Sequence, residues 1–375
     1  MINCSFFYDC LVERNFDFFT GVPDSLLKDF CAYVTDKTGT NKHIIAANEG
    51  GAIALACGHY LATGKPGLVY MQNSGQGNAA NPLASLADAD VYSIPILLMI
   101  GWRGQPGTKD EPQHIKQGKI TLSFLDMLNI PYRFLPQTND KAGQCLNEIA
   151  AFMKNSKAPA ALVVTEGTFE SYKSQIITTS RYQLERETAI KIVVDNLASS
   201  DIIVSTTGKI SRELYEYRDT TGKDHSRDFL TVGSMGHASQ IALGIALAKP
   251  SRQVYILDGD GAAIMHMGSF AIIGSQKADN IKHIILNNGC HDSVGGQPTA
   301  GFQISFTEIA KACGYKIALE ADNLNEVHEK IKILRSSQGP ALLEIKVKKG
   351  ARADLGRPKS SPKENKTNFM RFLEN

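Results

Sequence analysis

Two α/β domains, each a mainly parallel six-stranded sheet flanked by helices, are what this sequence predicts, and three observations predict them. At 375 residues the chain is too long for one ordinary core and suits two domains. Short apolar runs alternate with amphipathic stretches from end to end, the βα rhythm of a parallel sheet. A polar, aperiodic stretch, ESYKSQIITTSRYQLERE, interrupts that rhythm near the middle. The expected division is therefore 1–175 for the first domain, 176–184 for a linker and 185–375 for the second domain.

In the first half the strand candidates are FDFFT, HIIAAN, GLVYMQN, IPILLMIGW, PYRFLP and APAALVVTEG. Helices between them are marked by Pro23 and Asp24 after the first turn signal, then by GGAIALACGHYLA, NPLASLADA and DKAGQCLNEIAAFMKN. The second half offers DIIVSTTG, DFLTVG, QVYILDGD, IKHIILNN, YKIALEA and PALLEIKV, with helical stretches such as ASQIALGIALA between them. No short-period repeat links the halves, so their likeness is one of architecture.

Bulk composition narrows the function. A hydrophobic share of 43% with 21% charged residues is ordinary globular composition, and no stretch approaches the ~18 apolar residues of a membrane span. The first residues, MINCSFFYDCLVERNF, carry acids and lack the pattern of a signal peptide, so a cytoplasmic location is expected. Seven scattered cysteines without C-x-x-C spacing read as free, mostly buried thiols. A net charge of +2 does not suggest nucleic-acid binding. The basic tail, GARADLGRPKSSPKENK, is expected to be a flexible terminus, with a lid over the site as the functional alternative.

The most informative stretch is QVYILDGDGAAIMHMGSF, an apolar strand running into Gly259-Asp260-Gly261 and then, through Ala262, into a helix. The flanking glycines let the backbone approach an anion such as a diphosphate, and the helix start offers unpaired N–H groups. A second strand ends in Asn287-Asn288, with Asn288 28 positions after Asp260, room for one helix and a return strand. Mg2+ favours about six oxygens, usually one or two carboxylates supplemented by phosphates and water. A turn alone would explain D-G-D-G; it would not explain the spaced asparagines.

GDG followed by NN resembles the signature of thiamine-diphosphate-dependent enzymes. The resemblance implies thiamine diphosphate and Mg2+ as cofactors, with Asp260, Asn288 and the carbonyl of Cys290 as metal ligands and Asn287 structural. It also gives Glu49 a role. The segment NEGGAIALACGHYLATGKP resembles the one carrying the glutamate that pushes the coenzyme's aminopyrimidine into its imino form, and a carboxyl at a strand end in an apolar cleft should have a raised pKa. In the same way TVGSMG implies that Gly233 contacts the pyrimidine amino group and that Met235 wedges the coenzyme into its bent shape, where the simpler reading of Met235 is core packing. Thr207 and Gly208, with Ser211 as a weaker candidate, would meet the diphosphate. The first half becomes a pyrimidine domain and the second a diphosphate domain, without the middle domain of larger relatives. Because this family shares its coenzyme between two chains, a homodimer or larger assembly is implied.

Within that family GVPDSLLK, YMQNSGQGNAANPLASLAD, GWRGQPGTKDEPQHIKQGK, NNGCHDSVGGQPT and the tail resemble the phosphonopyruvate decarboxylases, over nearly the whole chain. The implied reaction converts 3-phosphonopyruvate to phosphonoacetaldehyde and CO2, in the synthesis of 2-aminoethylphosphonate and related phosphonates, with sulfopyruvate or another 2-keto acid as the alternative substrate. A substrate with two anionic groups needs fixed cations or many N–H donors. Ser25, Arg103, Lys109, Gln297, Arg352 and Arg357 are the candidate contacts, with Lys359 beside them; for any single loop cation the simpler reading is a solvated charge. His291, His114 and Asp24 are the candidate groups for the proton transfer that follows CO2 loss. A nucleotide-binding protein without catalysis is disfavoured because GVPDSL stands where G-x-G-x-x-G would be expected.

Overall fold

The strands expected from the sequence all form, six in each half, in a computed structural model that describes residues 1–176 and 180–374. The chain divides into two units, Met1–Thr178 and Thr179–Asn375. Of the expected linker, 177–179 lie outside the described residues.

The first unit contains β1 (Phe19–Gly21), β2 (His43–Ile45), β3 (Leu68–Gln72), β4 (Leu97–Gly101), β5 (Tyr132–Phe134) and β6 (Ala160–Val164) in the order β2-β1-β3-β4-β6-β5. Every ladder in it is parallel. Strands β4 and β6 are buried along their whole length, which is why they read as continuous apolar runs rather than alternating ones. Separate apolar clusters, one built around Phe7, Phe30 and Leu162 and another around Ile53, Leu98 and Val163, take alternate residues of the same strands and so cover the two faces of the sheet.

The second unit contains β7 (Ile202–Ser205), β8 (Asp228–Leu230), β9 (Val254–Gly259), β10 (Ile281–Asn287), β11 (Ile317–Ala321) and β12 (Ala341–Lys346) in the order β11-β12-β10-β9-β7-β8. Its ladders too are all parallel. Counted from its own first strand and read from the β8 edge, this is the same order as in the first unit. Parallel strands bring their carboxyl ends to one edge, where the loops that carry function gather. In the first unit Asp24, Glu49, Asn73 and Arg103 follow β1, β2, β3 and β4; in the second Thr207, Gly233, Asp260 and Asn288 follow or end β7, β8, β9 and β10.

The cysteines are free, and all but the half-buried Cys313 are buried. No helix among the described residues is long and apolar enough to cross a membrane.

The expected flexible terminus is corrected in one respect: its last part is a docked helix, Pro362–Glu374. Phe369 is 4% exposed and joins the cluster containing Phe229 and Phe270. The Asn365 amide accepts from the Leu230 N–H at 3.2 Å and donates to the Asp228 carbonyl at 2.8 Å, capping the free edge of β8. Its apolar positions, Phe369, Phe372 and Leu373, follow helical spacing, but lysines and serines before them mask the pattern in a composition reading. Upstream, Arg352 pairs with Glu187 and Asp354 at 3.1 Å each and with Glu216, while Lys359 pairs with Asp219 at 2.9 Å.

Phe369→Ala should destabilise the protein by about 3 kcal/mol. Urea unfolding would measure this; an unchanged midpoint would mean that the helix contributes no packing.

Candidate functional site

Each unit presents a group of buried polar side chains at the carboxyl edge of its sheet. In the first unit Glu49 is the opening residue of the helix Glu49–Thr63, whose preceding Asn48 side chain accepts from the Gly51 N–H at 2.9 Å. The glutamate is 5% exposed and receives one side-chain hydrogen bond, from Asn78 Nδ2 at 2.7 Å. A β-carbon on Gly75 would collide with its carboxyl, so the loop after β3 approaches as closely as glycine permits. Burial pushes the Glu49 pKa up, and the Asn78 amide offsets this only in part. Asn78 and Gly75 are functional neighbours that the sequence reading missed.

Asp24 is fully buried, its oxygens accepting from Gln72 Nε2 at 2.8 Å and the Leu26 N–H at 2.9 Å. Burial raises its pKa, with the Gln72 and Leu26 donors and Arg103 acting in the other direction. Beside it Ser25 Oγ accepts from Arg103 Nη1 at 2.6 Å. The guanidinium also donates through Nε and Nη2 to Asp110, at 2.8 and 2.5 Å, and His114 Nδ1 lies 2.8 Å from the same carboxylate. Asp24, Ser25, Arg103 and His114 are thus brought together as one network, with Asp110 as a member that no motif announced. Lys109 is exposed and lies outside these hydrogen bonds.

In the second unit Asp260 is 2% exposed and opens a six-residue helix, Asp260–Met265. Its Oδ1 accepts from the Asn288 N–H at 3.4 Å, and its Oδ2 accepts from the Thr299 hydroxyl, another residue the sequence reading missed. Burial pushes the Asp260 pKa up to about 6, against these donors. Asn288 Oδ1 accepts from the Cys290 N–H at 3.2 Å, and the Cys290 carbonyl from the Asp292 N–H at 3.0 Å, which leaves each oxygen a second lone pair. Asn287 is structural, its amide donating to Gly301 and Glu344 at 2.7 Å each.

Thr207 Oγ1 accepts from the Gly233 N–H at 3.0 Å, linking the loops after β7 and β8. Gly208 and Gly233 both hold positive φ, 101° and 73°, which side-chain-bearing residues rarely adopt. Met235 is half-buried and belongs to none of the apolar clusters; a β-carbon on Gly261 would lie 3.4 Å from its methyl and 3.0 Å from His291 Cε1, so both side chains lie over the start of the Asp260 helix. Burial lowers the His291 pKa to about 4, keeping the ring neutral at physiological pH. Ser211 turns inward, bonded to Ser205 Oγ and the Thr206 carbonyl at 2.7 Å each. Gln297 is buried and its carbonyl accepts from the His291 N–H at 2.8 Å. Arg352 is engaged by the carboxylates described above, and Arg357 is exposed.

These residues fit a magnesium diphosphate better than a bare metal ion. No group of three or more His, Cys, Asp or Glu able to hold a metal occurs among the described residues. A cation at Asp260 would therefore have one carboxylate, two neutral oxygens and a need for anionic ligands from elsewhere, which phosphates meet.

Known proteins resemble this chain along most of its length. Residues 5–124 match the thiamine pyrophosphate enzyme N-terminal TPP binding domain and 206–345 the C-terminal TPP binding domain. A phosphonopyruvate decarboxylase from Streptomyces viridochromogenes is 33% identical, over 94% of this chain and 90% of its own. One from Streptomyces hygroscopicus is 33% identical, over 94% and 89%. A sulfopyruvate decarboxylase from Methanosarcina acetivorans is 26% identical, over 98% and 96%.

The raised Glu49 pKa makes a prediction about the unliganded protein. The folded state holds this proton more tightly than the unfolded chain, so the group's contribution to stability is fullest below its ordinary value of 4.5 and falls as pH rises from there to the raised value. Glu49→Gln cannot ionise and should flatten that fall, leaving the variant at least as stable as the wild type at neutral pH. Thermal unfolding at acid and neutral pH checks this; a less stable variant at neutral pH would mean that the ionised carboxylate is compensated.

Proposed function

The chain belongs to the thiamine pyrophosphate enzyme family, and from that premise we propose that it decarboxylates 3-phosphonopyruvate to phosphonoacetaldehyde and CO2, using thiamine diphosphate and Mg2+. The observation that carries this reading is the full-length likeness to phosphonopyruvate decarboxylases in a chain whose units place a buried Glu49 and a buried Asp260 at strand ends.

When bound, the coenzyme supplies an electron sink for the pair left behind by CO2. Glu49 would share a proton with the pyrimidine ring nitrogen, a role suited to a carboxyl whose pKa burial raises. Asp260, Asn288 and the Cys290 carbonyl hold Mg2+. Thr207, Gly208, Gly259, Gly261 and Ala262 receive the diphosphate; Gly233 and Met235 orient the pyrimidine end. Among the candidate proton donors Asp24 is favoured over His291, because burial pushes the aspartic acid toward its protonated form and the imidazole toward its neutral one. Ser25 and Arg103 face the substrate's anionic groups.

A panel of phosphonopyruvate, sulfopyruvate and pyruvate, each with thiamine diphosphate and Mg2+, tests the substrate. We expect kcat/KM to favour phosphonopyruvate by about tenfold or more over either of the others. A preference for sulfopyruvate would assign the chain to the second reading, which its 26% likeness to a sulfopyruvate decarboxylase keeps in view.

The proposal also assigns each active site to two copies of the chain, one supplying Glu49 and the other Asp260. Glu49→Gln and Asp260→Ala should each lose at least ~100-fold in kcat. After subunit exchange an equal mixture should recover roughly a quarter of wild-type activity, because half of the dimers then carry one intact site. Assay of the mixture decides: no recovery would place both residues of a site on one chain.

A further inference from the structure

The Asp110 carboxylate is engaged by five hydrogen-bonding groups. Its Oδ1 faces Arg103 Nη2 at 2.5 Å, the Glu111 N–H at 2.7 Å and His114 Nδ1 at 2.8 Å; its Oδ2 accepts from the Gly104 N–H at 2.7 Å and Arg103 Nε at 2.8 Å. Burial opposes ionisation, yet these donors more than offset it and hold the carboxyl well below the usual carboxylate range. With about four lone-pair sites, such a carboxylate has no capacity left for a substrate, so any part it takes in the reaction runs through its partners.

Those partners are chemically specific. An ionised carboxylate only accepts, so the His114 nitrogen facing it must carry the proton, and in the neutral ring the lone pair is then on Nε2. The side-on grip on Nε and Nη2 of Arg103 leaves the other edge of the guanidinium, of which Nη1 reaches Ser25. Ser25 adjoins the buried Asp24, so one carboxylate governs both an imidazole and an arginine that reaches the neighbour of a buried acid.

Resting on the decarboxylase reading above, we propose that Asp110 is a positioning residue for that reaction, fixing His114 as its Nδ1–H tautomer and holding the free edge of Arg103 toward the substrate's anionic group. The alternative is a loop staple, in which the bonds to the Gly104 and Glu111 N–H groups are all that matters.

The test begins with nitrogen-15 NMR of the wild-type holoenzyme at a pH where the ring is neutral, the His114 signals being assigned by their loss in His114→Gln. The expected result is the Nδ1–H pattern, and an Nε2–H pattern overturns the proposal whether or not any variant folds. Asp110→Asn should shift the proton toward Nε2 and lower kcat/KM for phosphonopyruvate by about 10- to 100-fold, the scale of a residue that orients another. Made in the His114→Gln background, the same substitution should cost distinctly less, because part of its effect passes through the imidazole. Asp110→Glu, which keeps the charge, should restore the Nδ1–H pattern. Equal losses in both backgrounds with an unchanged tautomer would leave only the loop staple and sink the proposal. A wild type inactive on every keto acid would instead refute the decarboxylase reading, while the tautomer measurement would still stand.

Discussion

Three carboxyl groups sit at strand ends with a glycine occupying the place where a neighbour's β-carbon would have to be, and this close approach is the constraint on which the rest of the structure depends. Gly75 backs Glu49, Gly101 backs Asp24 and Gly301 backs Asp260. In each case burial is the leading influence on the acid and raises its pKa. A carboxyl taken out of water without a matching cation is costly, so it persists only where packing around it is tight and where its protonated or ligand-bound form is the useful one. Glycine supplies the tightness, because any side chain at those positions would push the acid back toward solvent.

The sheet order explains why these acids fall where they do. Both units have the same connectivity when each is counted from its own first strand, so the loops after their first four strands open at equivalent places on a parallel sheet. The chemistry has diverged between them. The loop after the third strand carries Gly75 and Asn78 in one unit and Asp260 in the other; the loop after the fourth carries Arg103 and Asp110 in one and Asn288 and Cys290 in the other. Under the proposed function one scaffold would thus serve two purposes, with the set around Glu49 at the aromatic end of the coenzyme and the set around Asp260 at its anionic end.

How much of this could be read from the amino acids depended on the range of the interaction. Strands such as Leu97–Gly101 and Ala160–Val164 were legible because full burial makes them continuous apolar runs. Asp260 and Asn288 could be placed at neighbouring strand ends because their spacing follows from one βαβ unit, and Glu49 at a helix start because it heads an apolar run, while the roles expected of them came from the family resemblance. Asn78 and Thr299 were not, because their partners lie 29 and 39 positions away and meet them only once the sheets form. Asp110 stands close to Arg103 and His114 in sequence, but its loop carries no periodicity to show which side chains converge. The terminal helix was hidden for a different reason: its apolar positions come after a basic, Gly- and Pro-containing stretch that dominates any compositional reading of the tail.

The balance of charge around Arg103 bears on how such a site could favour loss of CO2. A lone cation beside a keto acid would hold the departing carboxylate in place, stabilising the ground state at least as well as the transition state and gaining little rate. Arg103 comes to the site with its charge already answered by Asp110, so what remains on offer is a fixed hydrogen-bonding edge rather than an unbalanced field. Two of the tail's candidate cations are spent in a similar way, Arg352 on Glu187, Glu216 and Asp354, and Lys359 on Asp219. The arrangement suits a substrate whose second anion must be recognised while its carboxylate is left poorly solvated: directional donors can grip a tetrahedral phosphonate, and the carboxylate finds few compensating charges to keep it.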